Sequence, residues 1–199
     1  MRIGLFGGSF NPAHEGHRLA SLIALRRLRL DRVWWLVSPG NPLKDPHDLQ
    51  RLDARLDRAR AIARHPQIDV TAIEATLGLR YTADILRVLT QRCPGVRFVW
   101  IMGADNLRSF PRWHRWTDIL RTVPIAVVDR PGDTIRGRQG QAWSMLQRWR
   151  IPEHAARSLA ALAPPAIVTL HGPRSPQSST ALRRAALRRD GRGGPPGSS

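Results

Sequence analysis

Met1-Arg2-Ile3-Gly4-Leu5-Phe6-Gly7-Gly8-Ser9-Phe10-Asn11-Pro12-Ala13-His14-Glu15-Gly16-His17 opens the chain. Its apolar run, Arg2 to Phe6, has the character of a buried strand and breaks at a glycine pair. The stretch that follows, Glu15 to Leu30, carries Leu19, Leu22 and Ile23 at helical spacing. Working outward, the same alternation recurs. Strands are expected at Val33 to Val37, Asp69 to Ile73, Arg97 to Met102, Pro124 to Val128 and Ala166 to Leu170. Helices are expected at Asp53 to Arg64 and Thr82 to Gln91, with their arginines on the face away from the core. Repeated βα units predict an α/β fold: a doubly wound, mostly parallel sheet flanked by helices, with ligand sites at the carboxyl ends of its strands.

A length of 199 residues with 42% hydrophobic content is one domain's worth and excludes wholesale disorder. We place a single domain at residues 1–189. The tail, residues 190–199, lacks any apolar side chain and is expected to be disordered, and Arg130 to Gly140 reads as a Gly- and Arg-rich loop. No apolar stretch approaches the roughly 20 residues of a membrane helix, and the opening run is too short for a secretory signal, so a cytoplasmic protein is expected. The only cysteine, Cys93, excludes an internal disulfide and a multi-cysteine zinc cluster, and it reads as an ordinary residue at a helix end. The formal charge of +17 is carried almost wholly by arginine, Lys44 being the only lysine. The arginines are spread along most of the chain, which favours a basic surface suited to anionic ligands over a nucleic-acid tract. The oligomeric state is not set by composition or motif, and a homo-oligomer is compatible with both.

The first βα junction carries the chemistry. Two glycines after a buried strand let the backbone turn tightly and bring its N–H groups to an anion, with a helix dipole pointing the same way. The spacing fits neither a dinucleotide fingerprint nor a Walker loop. His14 and His17 lie one turn apart, so both rings project toward this cradle and can donate to phosphate oxygens. A zinc site is the alternative use of two such histidines, but local spacing places no third ligand. A second cluster, Ser178-Ser179-Thr180-Ala181-Leu182-Arg183, combines a helix cap with an arginine one turn on, again suited to phosphate. In Phe110-Pro111-Arg112-Trp113-His114-Arg115-Trp116, one tryptophan is expected in the core and the other against ligand.

These motifs, with Trp35 to Lys44, Arg80 to Asp84, Ile101 to Asp105, Phe110 to Trp113 and Asp129 to Gly132 in order between them, resemble the HxGH nucleotidyltransferases, and within them the bacterial nicotinate-mononucleotide adenylyltransferases. The resemblance spans about Met1 to Arg184. It implies a Rossmann-like sheet of nucleotidyltransferase type and transfer of the adenylyl group of ATP to nicotinate mononucleotide, giving nicotinate adenine dinucleotide and pyrophosphate, with Mg²⁺ arriving on ATP. By the same resemblance His14, His17, Lys44 and Arg183 are the catalytic set. Gly7, Gly8, Ser9, Phe10, Gly103, Asp105, Ser178, Ser179 and Thr180 join His14, His17 and Arg183 in holding ATP. Asn41, Lys44, Tyr81, Thr82, Asp105, Trp113 and Arg130 line the acceptor pocket, with Trp113 stacked on the nicotinate ring. The chain departs from its relatives at Leu43, where many carry histidine, and after Gly191, where they continue into an apolar segment. Two other readings compete with this one: an HxGH enzyme acting on a pantetheine phosphate or cytidylyl acceptor, for which this chain is long, and a nucleic-acid-binding protein.

Overall fold

A computed structural model describes residues 1–40, 49–129 and 141–172, with only the backbone of 141–143 considered. Six strands form one sheet: β1 (Arg2–Gly8), β2 (Arg32–Val37), β3 (Ile68–Thr71), β4 (Arg97–Gly103), β5 (Ile125–Val128) and β6 (Ile167–Leu170). All five pairings are parallel and the spatial order is β3-β2-β1-β4-β5-β6. The chain builds outward from β1 to β3, then crosses back to lay β4 on the other side of β1. The order therefore reverses between β1 and β4, and in open sheets of this kind ligands bind at such a reversal, at the carboxyl ends of the strands.

Both faces of the sheet are covered, which is why the strands read as continuous apolar runs. Phe6, Val33, Trp35, Val99, Ile101, Ala126 and Val168 face one layer, made of α1 (Glu15–Arg27), α2 (Leu52–Ala63) and a 3-10 segment, Glu153–Ala161. Leu5, Leu36, Phe98, Trp100, Ile125, Val127 and Ile167 face the other, where α4 (Thr82–Arg92) and α5 (Trp116–Thr122) pack. A single helical turn, α3 (Ile73–Thr76), follows β3, and α6 (Gln141–Leu146) precedes Glu153–Ala161. Beyond β6, Arg150 bridges to Ile167 and the Ile151 N–H donates to the Ile167 carbonyl (2.8 Å), so the chain passes round that edge between the two layers.

The predicted strands are all present, with shifted ends. β3 stops at Thr71, whose Oγ1 accepts from the Ile73 N–H (3.1 Å) and starts α3. Helix α1 ends at Arg27 rather than Leu30, because Arg29 turns left-handed (φ 51°) and the Leu30 N–H folds back to the Leu25 carbonyl. Cys93 closes α4, donating its N–H to Leu89. Two expectations are corrected. Gly7 and Gly8 do not make the turn; both belong to β1, and a Cβ on Gly7 would collide with the Trp100 ring. Nor do all the arginines of α2 face solvent: Arg55 lies with Ala59 and Ala63 on the buried stripe and is 1% exposed. Among the described residues no helix is long and apolar enough to cross a membrane. The loop Arg130 to Gly140, the cluster at Ser178 to Arg183 and the tail at 190–199 lie outside the described residues.

Candidate active site

The turn that follows β1 is made by Phe10, a non-glycine residue at φ 46°. A left-handed residue of this kind costs roughly 1–2 kcal/mol. The side chain explains why it persists. Phe10 is 2% exposed, stacks on Trp35 (centroids 4.8 Å apart, 15° between planes) and meets Phe6 edge-on at 5.9 Å. Burying such a ring contributes roughly 1.5–3 kcal/mol, enough to hold the strained backbone.

Four residues on, His14 caps α1. Its Nδ1 accepts from the Gly16 N–H (3.1 Å), and the His17 Nδ1 reaches back to accept from the His14 N–H (3.2 Å). This is a capping box built from two histidines. A backbone N–H can only donate, so each Nδ1 must be the acceptor nitrogen. Each neutral ring therefore carries its proton on Nε2. The two rings are nearly buried, with centroids 3.9 Å apart, and His17 also packs on Phe10 at 4.9 Å. Beneath them Ser21 Oγ donates to the His17 carbonyl (2.9 Å) and accepts from Trp35 Nε1 (2.7 Å), fixing the first turns of α1 against β2. The arrangement is two Nε2–H donors on a rigid mount, at a positive helix end, beside a backbone loop.

Strand β4 ends next to β1, and there Gly103 leads into the 3-10 turn Ala104–Asn106, where Asp105 is exposed. Trp100 links this region to the next: its ring fills the space left by Gly7 and meets Trp113 edge-on at 6.3 Å. Trp113 is half-buried, set against Phe110 (5.4 Å) with its Nε1 donating to Ser109 Oγ (3.3 Å). Trp116 is half-buried too, and both rings pack against the core of this layer from its margin. Tyr81 precedes α4, which starts at Thr82; its exposed ring lies on His114 with centroids 4.2 Å apart. Of the sequence-predicted residues, Gly7, Gly8 and Gly103 stand on the adjoining ends of β1 and β4, Ser9, Phe10 and Asp105 on the turns just beyond them, and His14 and His17 at the start of α1. Tyr81, Thr82 and Trp113 follow on the neighbouring layer. Asn41, Lys44, Arg130, Ser178, Ser179, Thr180 and Arg183 lie outside the described residues.

Arg55 was missed by sequence reasoning. Its position four and eight residues before Ala59 and Ala63 marked it as inward-facing, and its guanidinium donates to the Ser9 carbonyl (2.8 Å) under the cradle.

Comparisons with known proteins agree with this geometry. The profile of the cytidylyltransferase-like family matches residues 5–185. A protein of Methylorubrum extorquens named as a probable nicotinate-nucleotide adenylyltransferase is 58% identical over 183 residues, covering 92% of this chain and 99% of its own. One of the same name from Brucella suis is 50% identical over 189 residues, covering 95% and 97%. Among solved structures, nicotinic acid mononucleotide adenylyltransferase of Plasmodium falciparum, complexed with NaAD, aligns with a TM-score of 0.68 at 16% identity, over 92% of this chain and 82% of that one, a likeness of fold. The chain belongs to the cytidylyltransferase-like family, and within it to the nicotinate-nucleotide adenylyltransferases.

Proposed function

We propose that this chain transfers the adenylyl group of ATP to nicotinate mononucleotide, forming nicotinate adenine dinucleotide and pyrophosphate in NAD biosynthesis. The observation that carries the chemistry is the reciprocal histidine cap, which holds two Nε2–H donors at one helix start. The chain's kinship with nicotinate-nucleotide adenylyltransferases supplies the substrates.

The attacking group is a phosphate monoester with a second pKa of roughly 6, already ionised near neutral pH, so no general base is needed. What the reaction needs is positioning of two polyanions and neutralisation of charge on the departing pyrophosphate. His14 and His17 donate to the phosphates through Nε2, most strongly as that charge develops. The N–H groups of Ser9 and Phe10 complete the cradle. Lys44, Ser178, Ser179, Thr180 and Arg183 are proposed as further phosphate ligands, and Asn41, Tyr81, Thr82, Asp105, Trp113 and Arg130 as the acceptor's contacts. Among the described residues no group of three or more His, Cys, Asp or Glu is placed to hold a metal ion. Mg²⁺ is proposed to arrive on ATP, held by phosphate oxygens and water, where it would neutralise phosphate charge. We place the reaction in the cytoplasm and in a single domain at 1–189, and leave a homo-oligomer open.

Pyrophosphate release from ATP, measured with a panel of mononucleotide acceptors, tests the reading. Nicotinate mononucleotide is expected to give the highest kcat/KM, ahead of the nicotinamide form, because donors facing a carboxylate are left unpaired by an amide NH₂. Equal values for the two would defeat the specificity, and no turnover with any pyridine nucleotide would defeat the function.

A further inference from the structure

Arg55 is enclosed in the protein, yet among the described residues its four hydrogen bonds go to backbone carbonyls: Nε to Gln50 (2.8 Å), Nη1 to Ser9 (2.8 Å) and Ser38 (2.7 Å), and Nη2 to Pro39 (3.3 Å). A leucine or methionine would fill the same stripe of α2 without the cost of burying a charge. Desolvation does push the guanidinium down from its ordinary value, though an arginine stays charged. It ties the loop after β1 to both ends of the connection between β2 and α2.

The bond to Ser9 has a directional effect. The peptide bond between Ser9 and Phe10 is trans, as is that between Gly8 and Ser9, the cis bonds being Asn11–Pro12 and Pro164–Pro165. In a trans peptide the C=O and N–H point to opposite sides. With the Ser9 carbonyl drawn to Arg55, the Phe10 N–H faces away from that guanidinium. The Gly8 carbonyl accepts from the Ser38 N–H (3.0 Å), so the Ser9 N–H faces away from β2, to the side where β4 lies and the strand order reverses. Two successive N–H groups are thereby held free of the carbonyls beside them by two fixed bonds, and successive N–H groups of a turn are the type of feature that binds anions.

We propose that Arg55 is a positioning residue for adenylyl transfer: by holding the Ser9 carbonyl it aims the Phe10 N–H at the phosphates, and its buried charge adds positive potential beneath them. The inference rests on the adenylyl-transfer reading above.

The test uses amide NMR of the full-length enzyme titrated with α,β-methylene ATP, whose α–β link resists transfer, alongside kinetics of Arg55→Lys. In the wild type the Ser9 and Phe10 amide protons move downfield on binding. In Arg55→Lys, which keeps the charge but not the planar fork, the Phe10 shift is lost while the rest of the folded spectrum persists. Its kcat falls about 100-fold, the loss typical of a reacting group misplaced by about an ångström, with a smaller change in KM for ATP. A folded Arg55→Lys enzyme with the wild-type Phe10 shift and kcat would overturn the proposal. If Arg55→Lys does not fold, Arg55→Gln is read the same way, and in either case an unmoved Phe10 amide in the wild type overturns the assignment. Should the wild type bind the analogue with that shift but turn over no acceptor, the functional reading falls while the role of Arg55 in aiming the loop stands.

Discussion

At the scale of single residues, His17 does two jobs with its two nitrogens. Nδ1 caps α1, which leaves the proton of the neutral ring on Nε2, the proposed phosphate donor. Substitution can separate them. His17→Ala loses both, and removing one donor to developing charge typically costs about 100- to 1000-fold in kcat, with roughly 1 kcal/mol of cap stability lost beside it. His17→Gln places a carboxamide oxygen at the third position of the helix, where glutamine serves in ordinary capping boxes. Its melting temperature should stay at the wild-type value while kcat remains at least about tenfold down. Steady-state kinetics and thermal melts on both variants check this. A His17→Gln enzyme with wild-type kcat would leave the imidazole a cap and nothing more.

At the scale of elements, the short turn α3 carries an anomaly. Glu74 is 5% exposed, and burial pushes its carboxyl up from 4.5 to about 7. A folded-state pKa above the unfolded one favours the folded state in acid. This contribution is complete below about 4.5 and is lost as pH rises through about 7. The penalty for ionising the buried group at pH 8 is on the order of 3 kcal/mol. Glu74→Gln should therefore melt several degrees above the wild type at pH 8, with the gap closing near pH 5, in paired melts across that range. Identical melting curves at both pH values would mean that Glu74 keeps its charge at no cost. Elements of this sheet were legible in the sequence because both its faces are buried: Val33 to Val37 and Arg97 to Met102 read as unbroken apolar runs. The helical turn at Ile73–Thr76 was not, since its four residues complete no helical period and Ile73 continues the apolar run of β3. The histidine pair stands out in the sequence by its one-turn spacing behind Gly7-Gly8 and ahead of a hydrophobic helix. Arg55 escaped because an arginine in an arginine-rich helix is read as solvated, and only the alanines that share its stripe say otherwise.

At the scale of the whole molecule, the charge of +17 and the apolar-free tail set the last comparison. Residues without hydrophobic side chains cannot offset the entropy of being ordered. Ending the chain after Arg189 should leave the melting temperature and kcat/KM unchanged, whereas Arg183→Ala in the full chain should raise the KM for ATP. A truncated enzyme that lost ATP affinity as the Arg183 variant does would bring the tail into the site. The loop after β1 is set by packing. With the Phe10 ring locked against Trp35, residues 7 to 17 take their shape once, when the chain folds. That governs the time course of binding as well as its strength. A loop that must order around its ligand adds a slow, concentration-independent phase to association, and a preset one adds none. Followed by tryptophan fluorescence, the anion's arrival at the cradle should be a single bimolecular event, its observed rate climbing in proportion to the concentration of ATP.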